Sequence, residues 1–181
     1  MVWNKGQKVV LAGTPIVQEK KVGANATAAK LLPGILVLRD SSDEEFKECS
    51  AGASAGIVGW LGFEQAHPDY KPASRTSNFA AGAFAPVVSG AGTVLISKLA
   101  SGNNVTQGDL LVAGADGLVA KAAGMDGSVD SGAVSVLSSA ANGDIITLSG
   151  STPAGGLIVA VAEESVDASA AAKYCVVRST I

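Results

Sequence analysis

The residues whose chemistry could be catalytic are one histidine, two cysteines and a run of carboxylates. His67 lies in Ala66-His67-Pro68-Asp69-Tyr70, while Cys49 and Cys175 sit inside strand-like runs. A nucleophilic dyad needs a base within hydrogen-bond reach of its thiol or hydroxyl, so a loop histidine would have to enter a strand interior. His67 is therefore expected at an exposed or interface position, and both thiols as small buried hydrophobes. Asp40-Ser41-Ser42-Asp43-Glu44-Glu45 gathers four carboxylates. Acid and base work would need two of them to converge in a cleft with separated pKa values; a charged hairpin tip is the simpler assignment. The run lacks the alternating ligands of a calcium loop, His67 with Asp69 is too sparse for a metal, and no Cys-x-x-Cys spacing occurs. Gly52-Ala53-Ser54-Ala55-Gly56 leads into a strand rather than into a helix carrying Lys and Ser or Thr, so no phosphate loop is expected. No catalytic residue, metal or cofactor is expected, and the chain does not read as an enzyme.

The elements that would hold these residues follow one plan used twice. Pro33-Gly34-Ile35-Leu36-Val37-Leu38 runs into the acidic turn, returns as Phe46-Lys47-Glu48-Cys49 and restarts at Gly56-Ile57-Val58-Gly59-Trp60-Leu61. Gln107-Gly108-Asp109-Leu110-Leu111-Val112 likewise turns at Ala115-Asp116-Gly117, returns as Leu118-Val119-Ala120-Lys121 and restarts at Gly156-Leu157-Ile158-Val159. Turn signals at the cadence of all-β folds place strands near residues 35–39, 45–49, 56–63, 83–88, 93–99, 109–112, 118–122, 133–137, 144–148, 157–162 and 174–179. Asp116-Gly117 and Asn142-Gly143 should be hairpin turns. Helix is confined to a turn or two at 167–173 and at 26–32. The aperiodic stretch 65–77, with Pro68 and Pro72, reads as a long surface loop between the halves. The second copy spends residues 123–154 where the first spends six, and an inserted hairpin is expected there.

Composition agrees with an all-β fold, a small barrel or sandwich with short hairpins and little helix. Of 181 residues 48% are hydrophobic but only 4% aromatic, with 22 glycines. Such a chain builds its core from thin layers of Val and Ala, which disfavours a deep aromatic-lined ligand cavity. The net charge of -3 is uneven: residues 1–30 carry five lysines against Glu19, a net +4, leaving -7 on the remainder. Residues 1–27 hold too little apolar surface to fold alone and read as an extended arm whose strands need a partner, leading a barrel domain at 28–181. Trp3, Lys5, Lys8, Val9, Val10, Leu11, Lys20 and Lys21 are the candidate contacts to a neighbour. Trp3 reads either as an apolar plug into another molecule or as part of a disordered end, and the lysines either as contacts or as a solvated face. Without arginine or interleaved aromatics the arm does not suggest nucleic acid, and no signal peptide or bilayer-spanning run is apparent. Trp60 reads as a core anchor.

The second copy, from Val105-Thr106-Gln107-Gly108-Asp109-Leu110-Leu111-Val112 through Ala115-Asp116-Gly117-Leu118-Val119 to Leu157-Ile158-Val159-Ala160-Val161-Ala162-Glu163-Glu164-Ser165, resembles the capsid decoration, or head cement, proteins of tailed phages. Residues 167–177 fill the Ala-rich segment and last strand usual in that family. The resemblance covers about the last 75 residues best. It implies a structural β-barrel, made in the host cytoplasm, that binds the major capsid protein on the outer surface of the virion head, often as a homotrimer. It implies no catalytic residue, no direct nucleic-acid contact and no membrane. The alternative from another class is a receptor- or glycan-binding module of a fibre or appendage, resting on His67 and Tyr70.

Overall fold

The computed structural model describes residues 6–53, 55–122 and 157–181. Strands occupy Val10–Ala12 (β1), Ile16–Val22 (β2), Leu36–Arg39 (β3), Glu45–Glu48 (β4), Ile57–Leu61 (β5), Phe84–Ser89 (β6), Val94–Leu99 (β7), Asn103–Val105 (β8), Leu110–Ala113 (β9), Val119–Lys121 (β10), Ile158–Ala162 (β11), Val166–Ala168 (β12) and Lys173–Ser179 (β13). The only helical elements among the described residues are 3-10 turns at Ala28–Lys30 and Ala115–Gly117. The chain is all-β.

Two closed five-stranded barrels of one topology stand in tandem. The first runs β2-β4-β3-β5-β6 and closes by β6 pairing with β2; the second runs β7-β10-β9-β11-β13 and closes by β13 pairing with β7. In each, a single parallel contact joins first and third strands, β2 to β4 and β7 to β10, while the other ladders are antiparallel. Closure gives every barrel strand a partner on both sides. The repeat extends to single hydrogen bonds. Gly34 N–H donates to the Leu61 carbonyl at 2.6 Å and Gly108 N–H to that of Ala162 at 2.8 Å; Gly62 N–H reaches Pro86 O and Glu163 N–H reaches Val176 O, both at 2.8 Å. Both copies also shift register at the same place, between Val37 and Leu38 against β5 and between Ile158 and Ala160 against β9.

The barrels divide the core between them. Val22, Leu31, Ile35, Val37, Phe46, Leu61, Phe79, Ala85 and Val87 pack as one buried cluster within the first barrel. A second cluster joins Leu95, Leu99, Leu111, Val119, Ala162, Cys175 and Val177 of the second barrel to Leu36, Trp60 and Val88 of the first. Alternation along β3 explains the split: Val37 belongs to the first cluster and Leu36 to the second, on opposite faces of one strand. The outer β3–β4–β5 face of the first barrel thus seats on the β9–β10 turn end of the second. Backbone contact is close there: Gly117 N–H donates to the Cys49 carbonyl at 2.8 Å and Gly52 N–H to that of Ala113 at 2.9 Å.

Several expectations change. Residues 10–22, assigned to a partnerless arm, find their partners in the same chain: β1 pairs with β7, and β2 is an integral barrel strand held by both β6 and β4. Barrel closure supplies what local hydrophobicity does not, because a polar strand is retained when its backbone groups find partners. The repeat therefore begins at Ile16, and the halves join near residues 90–93. The 65–77 stretch is irregular as expected, but it lies inside the first barrel, between β5 and β6. The helix expected at 167–173 is absent, since residues 166–168 form β12 against β8. At 26–32 only the 3-10 turn forms. The hairpin at Asp116-Gly117 is present, with φ of 58° and 72° at those residues. The expected strands at 133–137 and 144–148, the Asn142-Gly143 turn and the inserted hairpin at 123–154 lie outside the described residues.

Candidate interaction surfaces

The predicted contact residues separate into three groups. Trp3 and Lys5 lie outside the described residues. Lys8 is exposed, but Val9 is fully buried in the second cluster, and Val10 and Leu11 are partly buried against this chain's own core. The Glu64 carboxylate secures that segment by accepting the Val9 and Val10 amides, each at 2.9 Å. Those apolar residues therefore serve the chain's own fold. Lys20 and Lys21 lie on β2; the Lys20 ammonium donates to the Asp43 carbonyl, and Lys21 stands 3.9 Å from its cross-strand partner Glu45.

The residues singled out for chemistry sit apart in role. His67 and Asp69 are exposed in the 65–77 loop, with the imidazole Nδ1 accepting the Asp69 amide at 3.3 Å. Cys49 and Cys175 are both buried. Burial pushes the Cys49 thiol up to about 11, which leaves it protonated at neutral pH and disarmed as a nucleophile. The acidic turn is a hairpin tip between β3 and β4, as expected, with one exception. Asp40 turns inward, its side chain 1% exposed, and accepts the Asn25 amide at 3.1 Å, the Asn25 side chain at 2.9 Å and the Lys47 ammonium at 3.2 Å. Burial pushes its carboxyl up, but these donors outweigh that and hold it below the ordinary range. Asp109 is lowered chiefly by its hydrogen bond with Lys121, whose ammonium is 2.6 Å away. Among the described residues no group of three or more His, Cys, Asp or Glu could hold a metal.

Tyr70 apart, the surfaces that sequence reasoning missed are apolar. Among the described residues the exposed large hydrophobic side chains are Ile16, Val17, Tyr70, Phe84, Leu110 and Leu157. Two are aromatic and adjoin: the Tyr70 ring lies 5.7 Å from Phe84 and 6.1 Å from His67, a tilted stack of three rings at the surface of the first barrel. The same loop spans to the second barrel, where the Arg75 guanidinium covers Tyr174 at 4.2 Å from the ring centroid. Tyr174 occupies the place in β13 that Phe84 occupies in β6, so one aromatic position is covered and its repeat is open. Alternation in β2 would have flagged Ile16 and Val17 only once that segment was known to be a strand. Comparison with protein-family models and with curated proteins gives no match for this chain.

Proposed function

We propose that this chain is a structural decoration protein that binds the outer surface of an icosahedral phage head and reinforces it, acting as a trimer through contacts with the major capsid protein and with itself. The observation that carries the reading is the tandem of two small closed barrels that expose apolar patches, on a chain whose second half resembles head cement proteins. Two fused barrels present a wide, stiff surface, and many copies on a lattice turn modest contacts into high avidity. The exposed Lys8 complements an acidic partner surface from a segment anchored at Val9 rather than from a long free arm, while Lys20 and Lys21 stand on β2 beside this chain's own Asp43 and Glu45.

The test is to mix the purified protein with expanded, undecorated heads of the cognate major capsid protein and measure co-sedimentation. Saturable binding at a fixed ratio, with heads then resisting heat or chelation better, is expected. Heads that sediment without the protein would refute the reading.

A second reading, a glycan- or receptor-binding module, is favoured by the Tyr70–Phe84–His67 stack. Half-exposed rings offer the apolar faces on which a sugar ring packs. A glycan array giving binding that Tyr70→Ala abolishes would replace the first reading by this one.

A further inference from the structure

The parallel contact that closes each barrel is short, and the rest of that edge is treated differently in the two. In the second barrel β10 meets β7 only at Leu99, while β1 pairs with Val94 and Leu95 and the Val9 carbonyl accepts the Ile96 N–H at 2.8 Å. Register aligns β2 with β7: Val22 and Leu99 each meet the third strand, and Lys21 and Lys98 each face an aromatic residue, Phe84 and Tyr174. Val17 and Glu19 are therefore the counterparts of Val94 and Ile96.

No described strand takes the place of β1 on the first barrel. Val22 N–H donates to the Ala83 carbonyl beside β6 at 2.8 Å, and Lys21 N–H to the Glu44 carbonyl beside β4 at 2.9 Å. Backbone groups alternate sides along a strand, so those of Val17 and Glu19 point away from β6, where β4, pairing only with Lys21 and Val22, does not reach. Among the described residues nothing bonds them there. The side chains agree. Val94, Ile96 and Val176 are 8%, 0% and 0% exposed and pack with Leu11 and Tyr174, whereas Val17 is 43% exposed, with Ile16 at 61% beside it and Phe84 at 41% on the same face. A bare edge of this kind is a template for an added strand.

Two groups define what that strand carries. Glu19 stands where Ile96 stands in the repeat, and it has no ion pair among the described residues, since Lys20 donates to the Asp43 carbonyl and Lys21 stands by Glu45. Phe84 stands where Tyr174 stands; Tyr174 takes the Arg75 guanidinium at 4.2 Å, but the neighbour of Phe84 is the neutral Tyr70 ring at 5.7 Å. Both places accept a cation. The same strand of a second copy fits poorly. Antiparallel registers centred on Gln18 or Glu19 bring two Glu19 carboxylates together, and the register centred on Val17 calls on Pro15, which has no N–H.

We propose that the β2 edge at Val17–Glu19 receives an extended segment of a partner protein, antiparallel to β2 as β1 is to β7, with a Lys or Arg over Glu19 and an aliphatic residue two positions later over Val17. The inference rests on the reading of the chain as a shell-binding protein and names the surface that meets the shell. Its first test uses no shell, so that the two fail separately.

The probe is the end-capped peptide Thr-Thr-Lys-Thr-Val-Thr-Thr, with the same peptide carrying Glu for Lys as control, read by amide hydrogen exchange and NMR amide shifts. In the free chain the Val17 and Glu19 amides should exchange faster than those of Gln18 and Lys20, which β6 holds, and the peptide should slow them. The control should bind about tenfold more weakly, and Glu19→Lys should reverse that preference. Val17→Pro removes an N–H that the barrel does not use and should abolish binding in a chain shown by circular dichroism to be folded. Undecorated heads should then bind Glu19→Lys about tenfold more weakly than wild type. Protection of both amides in the free chain, no protection by the peptide, equal affinity for the two peptides, or undiminished head binding by folded Glu19→Lys would overturn the proposal. Heads that ignore the wild type while the peptide binds would refute the shell reading and support this site for another partner.

Discussion

The two barrels share strands, ladders and register shift, yet they meet their surroundings differently. On the β3–β4–β5 face Leu36, Trp60 and Cys49 are fully buried, whereas on the β9–β10–β11 face their counterparts Leu110, Val161 and Ala122 are exposed or partly exposed. The internal contact took the larger side chains, and the open copy kept smaller ones. One backbone plan thus occurs twice, and the bulkier Trp60 and Cys49 stand on the covered copy where Val161 and Ala122 stand on the other.

The largest expected effect breaks the buried copy alone. Trp60→Ala should cost about 3–5 kcal/mol by urea denaturation, because it empties a filled site and removes the indole donor to Ser179 Oγ. Val161→Ala, its counterpart, should cost about 1 kcal/mol, since its methyl groups are only partly withdrawn from water. Equal losses would mean that the two faces are energetically alike.

Glycine exchange sharpens the same contrast. Both Gly34 and Gly108 have positive φ, 89° and 94°. Gly108→Ala should cost about 1–2 kcal/mol for backbone conformation alone. Gly34→Ala adds overpacking against Ile96, for a total of about 2–5 kcal/mol. Matched thermal shifts for the pair would remove the covered-versus-open distinction.

Glu64→Gln tests the link from the N-terminal segment to the rest. A neutral amide keeps one acceptor for two backbone donors, so about 1–3 kcal/mol of local stability should go. Hydrogen exchange should quicken at residues 9–12 and stay unchanged in β3, β4 and β5. Uniform quickening would show that β1 does not open separately.

Acid stability should give the smallest effect, contributed by both barrels. Asp40 and Asp109 have lowered pKa values in the folded chain. Their stabilisation is fully present above the ordinary carboxylate pKa of about 4 and is lost as pH falls through the lower folded values. Stability should decline as the pH is lowered from about 4, and Asp40→Asn or Asp109→Asn should each flatten that decline. An unchanged acid limb in both variants would assign the decline to other groups.

Much of the fold was legible in the residues. Gly-led apolar runs, the Asp116-Gly117 turn and the spacing of β3, β4, β5, β9, β10 and β11 all follow from local pattern, because strand period and turn chemistry are written in adjacent residues. β2 was not legible, since Gln18-Glu19-Lys20-Lys21 buries little and owes its strand to partners at residues 84–89 and 45–46. The aromatic stack was half legible: His67 and Tyr70 were visible in the loop, while Phe84 joins them only through the path of β6.

By itself the sequence determined an all-β chain built twice on one plan, with buried thiols and a buried Trp60. Tertiary structure alone decided that the plan closes into two barrels, that the N-terminal strands belong to them, and that one of two equivalent faces is covered. The physical reason is range. Periodicity and turns act between neighbours in the chain, whereas closure and coverage depend on backbone and side-chain partners far apart in the chain, such as Ile16 with Ser89 and Trp60 with Ser179.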